Sequence, residues 1–140
     1  MSSRTDAPRL VLASNSPRRR ELFRLLHVPF TNETADIDET PLPGEDPAAM
    51  VQRLSLTKAR AVAALSAGPA LVVGSDTTVA FMGTVLGKPA DAAEARRMLC
   101  DLRGRPHDVY TGVSIVDTGG RELVWSVTTV VWMREYAAAE

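Results

Sequence analysis

Cysteine is nearly missing: Cys100 is the only one in 140 residues, which excludes an intramolecular disulfide and any multi-cysteine zinc site. Long apolar runs are missing as well, none approaching the ~20 residues of a membrane span. Met1 to Arg9 has no apolar core of the kind that directs secretion, so a cytoplasmic location is expected. No charge of one sign dominates. Sixteen basic residues against seventeen acidic ones leave a net charge of −1, and nothing argues for a nucleic-acid or membrane-surface partner. No repeats or composition shifts break the chain, and 140 residues suffice for one sizeable core, so residues 1–140 are expected to form a single domain.

Lysine is the most informative scarcity. Fourteen of the sixteen basic residues are arginine, and only Lys58 and Lys88 are lysine. A compact ammonium kept against such a bias points to a specific role that a guanidinium cannot fill. The near-zero net charge hides two opposed blocks. Arg4, Arg9, Arg18, Arg19, Arg20 and Arg24 face only Asp6 and Glu21, whereas Glu33, Asp36, Asp38, Glu39, Glu45 and Asp46 have no base among them between positions 31 and 50. Two solvated surfaces of opposite sign would look the same, so the blocks alone do not define a site.

Apolar patterning predicts alternating strands and helices. Leu10 to Ala13 reads as a buried strand, and Ser14-Asn15-Ser16-Pro17 as a helix start with Ser16 as N-cap and Pro17 as first helical residue. Leu22, Phe23, Leu25 and Leu26 supply that helix's apolar face to about His27. A strand near Phe30 to Ala35 precedes a polar loop, Asp38 to Asp46, and a helix from about Pro47 to Ser66. Leu71-Val72-Val73 reads as a central strand ending at Gly74-Ser75-Asp76-Thr77, and Thr78 to Leu86 as a short hairpin about Met82-Gly83. Asp91 to Leu102 is helical, Val109 to Val116 pairs with Leu123 to Trp132, and a last helix begins at Arg134. The expected fold class is α/β with a mixed, twisted sheet flanked by helices.

Three places suit chemistry. A strand turning directly into a helix at Ser14 to Arg20 offers free N–H groups and a positive dipole end among hydroxyls and arginines, which is a seat for phosphate; it equally describes an N-capped helix with a basic solvent face. The glycines of a Walker loop are absent. Asp76, directly after an apolar strand, stands where open α/β sheets bind ligands, though a strand-end aspartate also forms turns. Lys58 lies within the stripe of Val51, Leu54, Val62 and Leu65, where an ammonium needs an anionic partner or a route to solvent. Lys88 sits on the Gly87-Lys88-Pro89 loop. His107 reads as structural, Cys100 as a buried small hydrophobe, and Trp125 and Trp132 as core.

Six segments occur in order and at the approximate spacing of one family: Leu12 to Leu22, Asp36-Ile37-Asp38-Glu39, Lys58-Ala59, Gly74-Ser75-Asp76-Thr77, Gly87-Lys88-Pro89 and His107 to Val113. From about Arg9 to Tyr136 the chain resembles the Maf family. The resemblance implies an elongated α/β fold with a deep cleft, similar to inosine triphosphate pyrophosphatases, and a metal-dependent hydrolase that splits a nucleoside triphosphate into monophosphate and pyrophosphate. It implies catalytic roles for Asp76, Glu39, Lys58 and Lys88, substrate binding by Ser14, Ser16, Arg18, Arg19 and Thr77, and Mg²⁺ or Mn²⁺ held by Asp76 and Glu39. Arg18 after Ser16-Pro17, and Thr77 after Asp76, resemble the branch acting on dTTP and UTP, with modified pyrimidine nucleotides as further candidates, rather than the branch acting on 7-methyl-GTP. A homodimer is a further implied assembly. Two alternatives stay open: a nucleotide-binding regulator of septum formation without turnover, and an inactive remnant. The second arises because no lysine follows Lys88 and Gln52 is the only glutamine, so the family's C-terminal segments have no counterpart. Their absence predicts an exposed apolar patch near Val127 to Trp132.

Overall fold

The computed structural model describes residues 8–87 and 89–136. Strand β1 (Arg9–Ala13) turns into α1 (Pro17–Arg24), followed by the short β2 (Thr31–Asn32) and the long α2 (Pro47–Leu65). Then come β3 (Ala70–Phe81), β4 (Thr84–Leu86), α3 (Ala92–Leu102), β5 (Pro106–Asp117) and β6 (Glu122–Trp132). One mixed sheet runs β2-β1-β3-β5-β6, with β4 paired to the far end of β3. β2, β1 and β3 are parallel, and β3, β5 and β6 are antiparallel. The chain leaves β1 toward β2 on one side and returns to β3 on the other. A crevice therefore opens beyond the carboxyl end of β1, where the strand order reverses.

Local chemistry fixes these elements. Ser16 caps α1 through its hydroxyl, which accepts from the Arg19 N–H, and Pro17 opens the helix, as its sequence predicts. Asp46 caps α2 by accepting from the Ala48 and Ala49 N–H groups, again with proline at the first helical position. Met82 and Gly83 both adopt positive φ, 52° and 80°, which suits the tight turn joining β3 to β4.

α2 is the helix packed broadly on the sheet among the described residues. Val62 and Ala59 of α2 meet Val11, Ala13, Ala70, Val72 and Val116 in the core. On β3 every second residue from Ala70 to Ala80 is buried, so the even-numbered side chains face α2. The approach is unusually close at two glycines. A Cβ built on Gly74 would lie 2.2 Å from the Ser55 carbonyl oxygen, and one on Gly112 would lie 2.2 Å from that of Val51. Gly112 pairs with Asp76 across the β3–β5 ladder, and Ser114 pairs with Gly74. Beside these glycines the fully buried hydroxyls of Ser55 and Ser114 bond each other at 2.6 Å, which satisfies both inside the interface.

Several sequence-based expectations need correction. β3 does not end at Gly74 but continues to Phe81, because β5 keeps pairing with it after β1 has stopped, and Asp76 is therefore an interior strand residue. The predicted strand from Phe30 to Ala35 shrinks to Thr31–Asn32, an edge held by only two register pairs to β1. α1 ends at Arg24, and Leu22, Leu25 and Leu26 are exposed, with only Phe23 finding an aromatic partner in Phe30. Leu65 is likewise exposed, beyond the stripe that α2 buries. Trp125 and Trp132 are 41% and 73% exposed rather than core, because β6 is an edge strand and α2 packs chiefly on β3 and β5. The apolar patch expected at this strand is present, with Val127, Val130 and Trp132 all exposed. Cys100 is half-buried, whereas His107 is buried within β5, its Nδ1 without a hydrogen-bond partner among the described residues. Met133 to Tyr136 is irregular, its backbone bonded back to Gly104 and Arg105, and the remainder of the last predicted helix lies outside the described residues. No helix is long and apolar enough to cross a membrane among the described residues.

If the glycine contacts set the distance between α2 and the sheet, Gly112→Ala must push the helix backbone outward. The expected cost is roughly 1–3 kcal/mol, the range for overpacking a core, read as a lower urea midpoint. Gly68→Ala, where a Cβ meets nothing within 4 Å, is the control and should lie near the parent. Equal midpoints for the two variants would contradict the close-approach argument.

Candidate active site

The crevice beyond β1 holds a cavity of about 390 Å³, a volume within the range of small-molecule sites. Ala13 to Ser16 and Arg19 form one wall, Thr34 to Ile37 and Glu39 a second, and Lys58 and Val62 of α2 a third. Ser14 is buried, and its hydroxyl accepts from the Ser16 N–H at 3.0 Å, so it shapes the β1–α1 turn. The Ser16 hydroxyl is committed to capping α1. No acidic residue occupies the first turn of α1, which leaves the positive end of the helix and the exposed Arg18 available to an anion.

At the back of the crevice one ammonium joins three elements. Lys58 Nζ lies 2.9 Å from Asp76 Oδ1 and 3.1 Å from Glu39 Oε1. The Lys58 and Asp76 side chains are only 18% and 12% exposed, whereas Glu39 is 57% exposed. The stripe position that makes Lys58 anomalous in the sequence is thus resolved by two anionic partners. Lys58 also donates to the Ser75 carbonyl at 3.3 Å, as does Arg19 Nη1 at 3.2 Å. β1 ends at Ala13, opposite Gly74, so this carbonyl lies just past the last β1 partner, and two cations serve it instead. Ser75 thereby joins α1 to α2, a role that no side-chain motif could signal.

Arg19 reaches over the sheet edge, its Nη2 donating to the Thr77 hydroxyl at 3.1 Å, and Thr77 lies 3.3 Å from the Thr111 hydroxyl. Asp76 and Thr77 are consecutive on one strand, so their side chains leave opposite faces of the sheet. Asp76 points toward α2 and its buried interface, while Thr77 is exposed on the other side. Lys88 lies outside the described residues.

The loop before α2 is tied down by a cation whose importance the sequence did not reveal. Arg53 grips Glu45 with two hydrogen bonds, of 2.6 and 2.8 Å, and donates to the Thr40 carbonyl at 3.2 Å. The guanidinium bonds hold the Glu45 carboxyl at about 2, helped by the Leu42 N–H and opposed by partial burial. That value lies below the ordinary 4.5. The grip is therefore at full strength above the usual glutamate range and is lost only as pH falls toward about 2. The Asp38 carboxyl is also lowered, first by the Thr40 hydroxyl and then by its N–H. The only forewarning of this clamp was an unpaired acidic run just upstream of an arginine on the following helix.

Two carboxylates sharing one ammonium offer hard oxygen donors of opposite accessibility. Mg²⁺ commonly takes one or two carboxylates and completes its shell with water and substrate phosphates, so Asp76 and Glu39 fit such an ion. Among the described residues no larger cluster of His, Cys, Asp and Glu could hold a metal by itself.

Comparison with known proteins bears on the fold and the family. Two solved structures share the fold, the Ham1 protein of Staphylococcus aureus (TM-score 0.60, 16% identity) and a HAM1 protein from Coxiella burnetii (TM-score 0.60, 17% identity). The first alignment covers 89% of this chain and 71% of the other, and the second 90% and 73%. Sequence relatives are much nearer. A dTTP/UTP pyrophosphatase of Symbiobacterium thermophilum is 51% identical over 122 residues, 87% of this chain and 62% of the relative. One from Myxococcus xanthus is 50% identical over 135 residues, 96% of this chain and 67% of the relative. A nucleoside triphosphate pyrophosphatase of a Synechococcus strain is 42% identical over 129 residues, 91% of this chain and 66% of the relative. The chain thus spans roughly two thirds or less of the length of these relatives. The model of the Maf-like protein family matches residues 9–140, nearly the whole chain, and the chain belongs to that family.

Proposed function

We propose that this site hydrolyses nucleoside triphosphates, dTTP and UTP first among them, to the monophosphate and pyrophosphate. The observation that carries the reading is the Lys58 ammonium joining Asp76 and Glu39 at a cavity that also takes in the start of α1. In this reaction water forms a bond to the α-phosphorus, the bond from that phosphorus to the bridging oxygen breaks, and pyrophosphate leaves. Phosphoryl transfer of this kind demands positioning and charge neutralisation rather than covalent chemistry from the protein.

Arg18, the N-terminus of α1 and, by the family pattern, Lys88 receive the phosphate tail. Arg19 keeps the α1 turn against the Ser75 carbonyl and Thr77. Asp76, buried and oriented by Lys58, holds the attacking water or accepts its proton. Glu39, more exposed, is the carboxylate freer to turn toward a ligand. A divalent cation, Mg²⁺ or Mn²⁺, bound by these two carboxylates and the substrate would neutralise charge on the phosphoryl group being transferred. The reading places the reaction in the cytoplasm, and pairing of two copies is its expected assembly.

Asp76→Asn keeps the side chain's shape but removes its charge. Turnover of UTP, followed by pyrophosphate release with Mg²⁺ present, should fall on the order of 10²-fold or more while the thermal melt keeps its cooperative shape. Near-normal turnover would remove Asp76 from the mechanism. Saturable UTP binding without pyrophosphate release from the parent chain would instead favour a nucleotide-binding regulator.

Specificity should follow Arg18 of α1 and Thr77 of β3. In a substrate panel dTTP and UTP are expected to be hydrolysed faster than 7-methyl-GTP. A preference for the methylated purine would reverse the substrate assignment and leave the family membership intact.

A further inference from the structure

We propose that Arg53 is a positioning residue for Glu39: by bonding the Thr40 carbonyl and clasping Glu45 it pins the 38–45 loop to α2, so that Glu39 meets Lys58. The inference rests on the reading of Glu39 as a working carboxylate of the cleft.

The geometry is specific. Glu39 is flanked by two residues that bond each other, since Asp38 Oδ1 accepts both the Thr40 N–H (2.9 Å) and the Thr40 hydroxyl (2.6 Å). That turn fixes the backbone around Glu39 but not its place relative to α2. Arg53 supplies the missing anchor through the carbonyl of the next residue, Thr40. The far end of the loop is closed by Glu45, whose Oε1 accepts the Leu42 N–H (3.1 Å) as well as an Arg53 N–H (2.8 Å). α2 therefore grips the loop twice, with Arg53 on its backbone and Lys58 on the Glu39 side chain. The Lys58 contact alone is a weak anchor, because Glu39 is 57% exposed and a single solvated ion pair contributes little. The Arg53–Glu45 pair is the stronger one, being bidentate with the Glu45 side chain only 8% exposed. Lysine could not replace Arg53, since one ammonium lacks the planar fork that serves a carboxylate and a carbonyl together.

A double-mutant cycle tests the coupling. Arg53→Leu should lower kcat/KM for UTP on the order of tenfold in the parent and less than about twofold in a Glu39→Gln background. Arg53→Lys should restore little. A merely structural arginine predicts the same loss in both backgrounds, and that result would overturn the inference. Should Arg53→Leu fail to fold, Glu45→Gln carries the same test, since it keeps the side chain's size and removes the charge.

Hydrogen exchange gives a readout independent of turnover. The Thr40 and Leu42 amides should exchange on the order of tenfold faster in the Arg53 or Glu45 variant, while amides within α2 stay near the parent. Unchanged exchange at both loop amides would overturn the clamp. If Glu39→Gln leaves turnover at the parental value, the assignment of Glu39 fails, and with it the catalytic half of the inference. Exchange then decides the clamp alone.

Discussion

The close contact between α2 and the sheet at Gly74 and Gly112 is the constraint on which the rest of this structure depends. A side chain at either position would collide with the helix backbone at Ser55 or Val51. Without one, the helix lies low enough for Ser55 to reach Ser114 across a buried interface, and for Lys58, one turn onward, to reach Asp76. The distance matters because an ammonium is short-ranged in its usefulness. At 2.9 Å it compensates a carboxylate that burial would otherwise penalise, and a helix lifted away would leave both charges under-solvated.

Around that contact the site is assembled from the β1–α1 turn, the loop before α2, α2 itself and the middle of β3. β1 contributes its termination at Ala13, which frees the Ser75 carbonyl for Lys58 and Arg19. α1 contributes a capped N-terminus without a neighbouring acid, and the loop before α2 contributes Glu39. Arg19 of the basic block and Asp36 and Glu39 of the acidic block thus line the same crevice, cation and carboxylates together. Both are what a polyphosphate and its counter-ion require. The two carboxylates are not equivalent, since Asp76 is held in place by burial and Glu39 by its loop.

The α1 cap at Ser16 and Pro17, the long α2 and the β5–β6 pair were legible because each rests on local rules of capping, helical period and strand alternation. Lys58 was legible for a rarer reason, being one of two lysines beside fourteen arginines and standing on an apolar stripe. What the sequence concealed was set by tertiary pairing. The continuation of β3 past Gly74 depends on β5, whose partner residues lie 28 to 38 positions away, so Asp76 looked terminal. Trp125 and Trp132 looked like core because their strand is apolar on both faces, and only the topology shows that it is an edge. Arg53 was hidden for a similar reason, since helical phase turns it away from the core stripe and its partners come from an irregular loop.

Lysine at position 58, one of two lysines beside fourteen arginines, provides the most direct test. The account requires a compact ammonium fitting between Asp76, Glu39 and the Ser75 carbonyl under a closely packed helix, rather than positive charge in general. UTP turnover by Lys58→Arg should therefore fall on the order of 10²-fold, the scale of losing one preorganised electrostatic contact, with the fold retained. Turnover near the parent's would show that charge alone suffices there, and would contradict the claim that the depth of α2 on the sheet sets the chemistry.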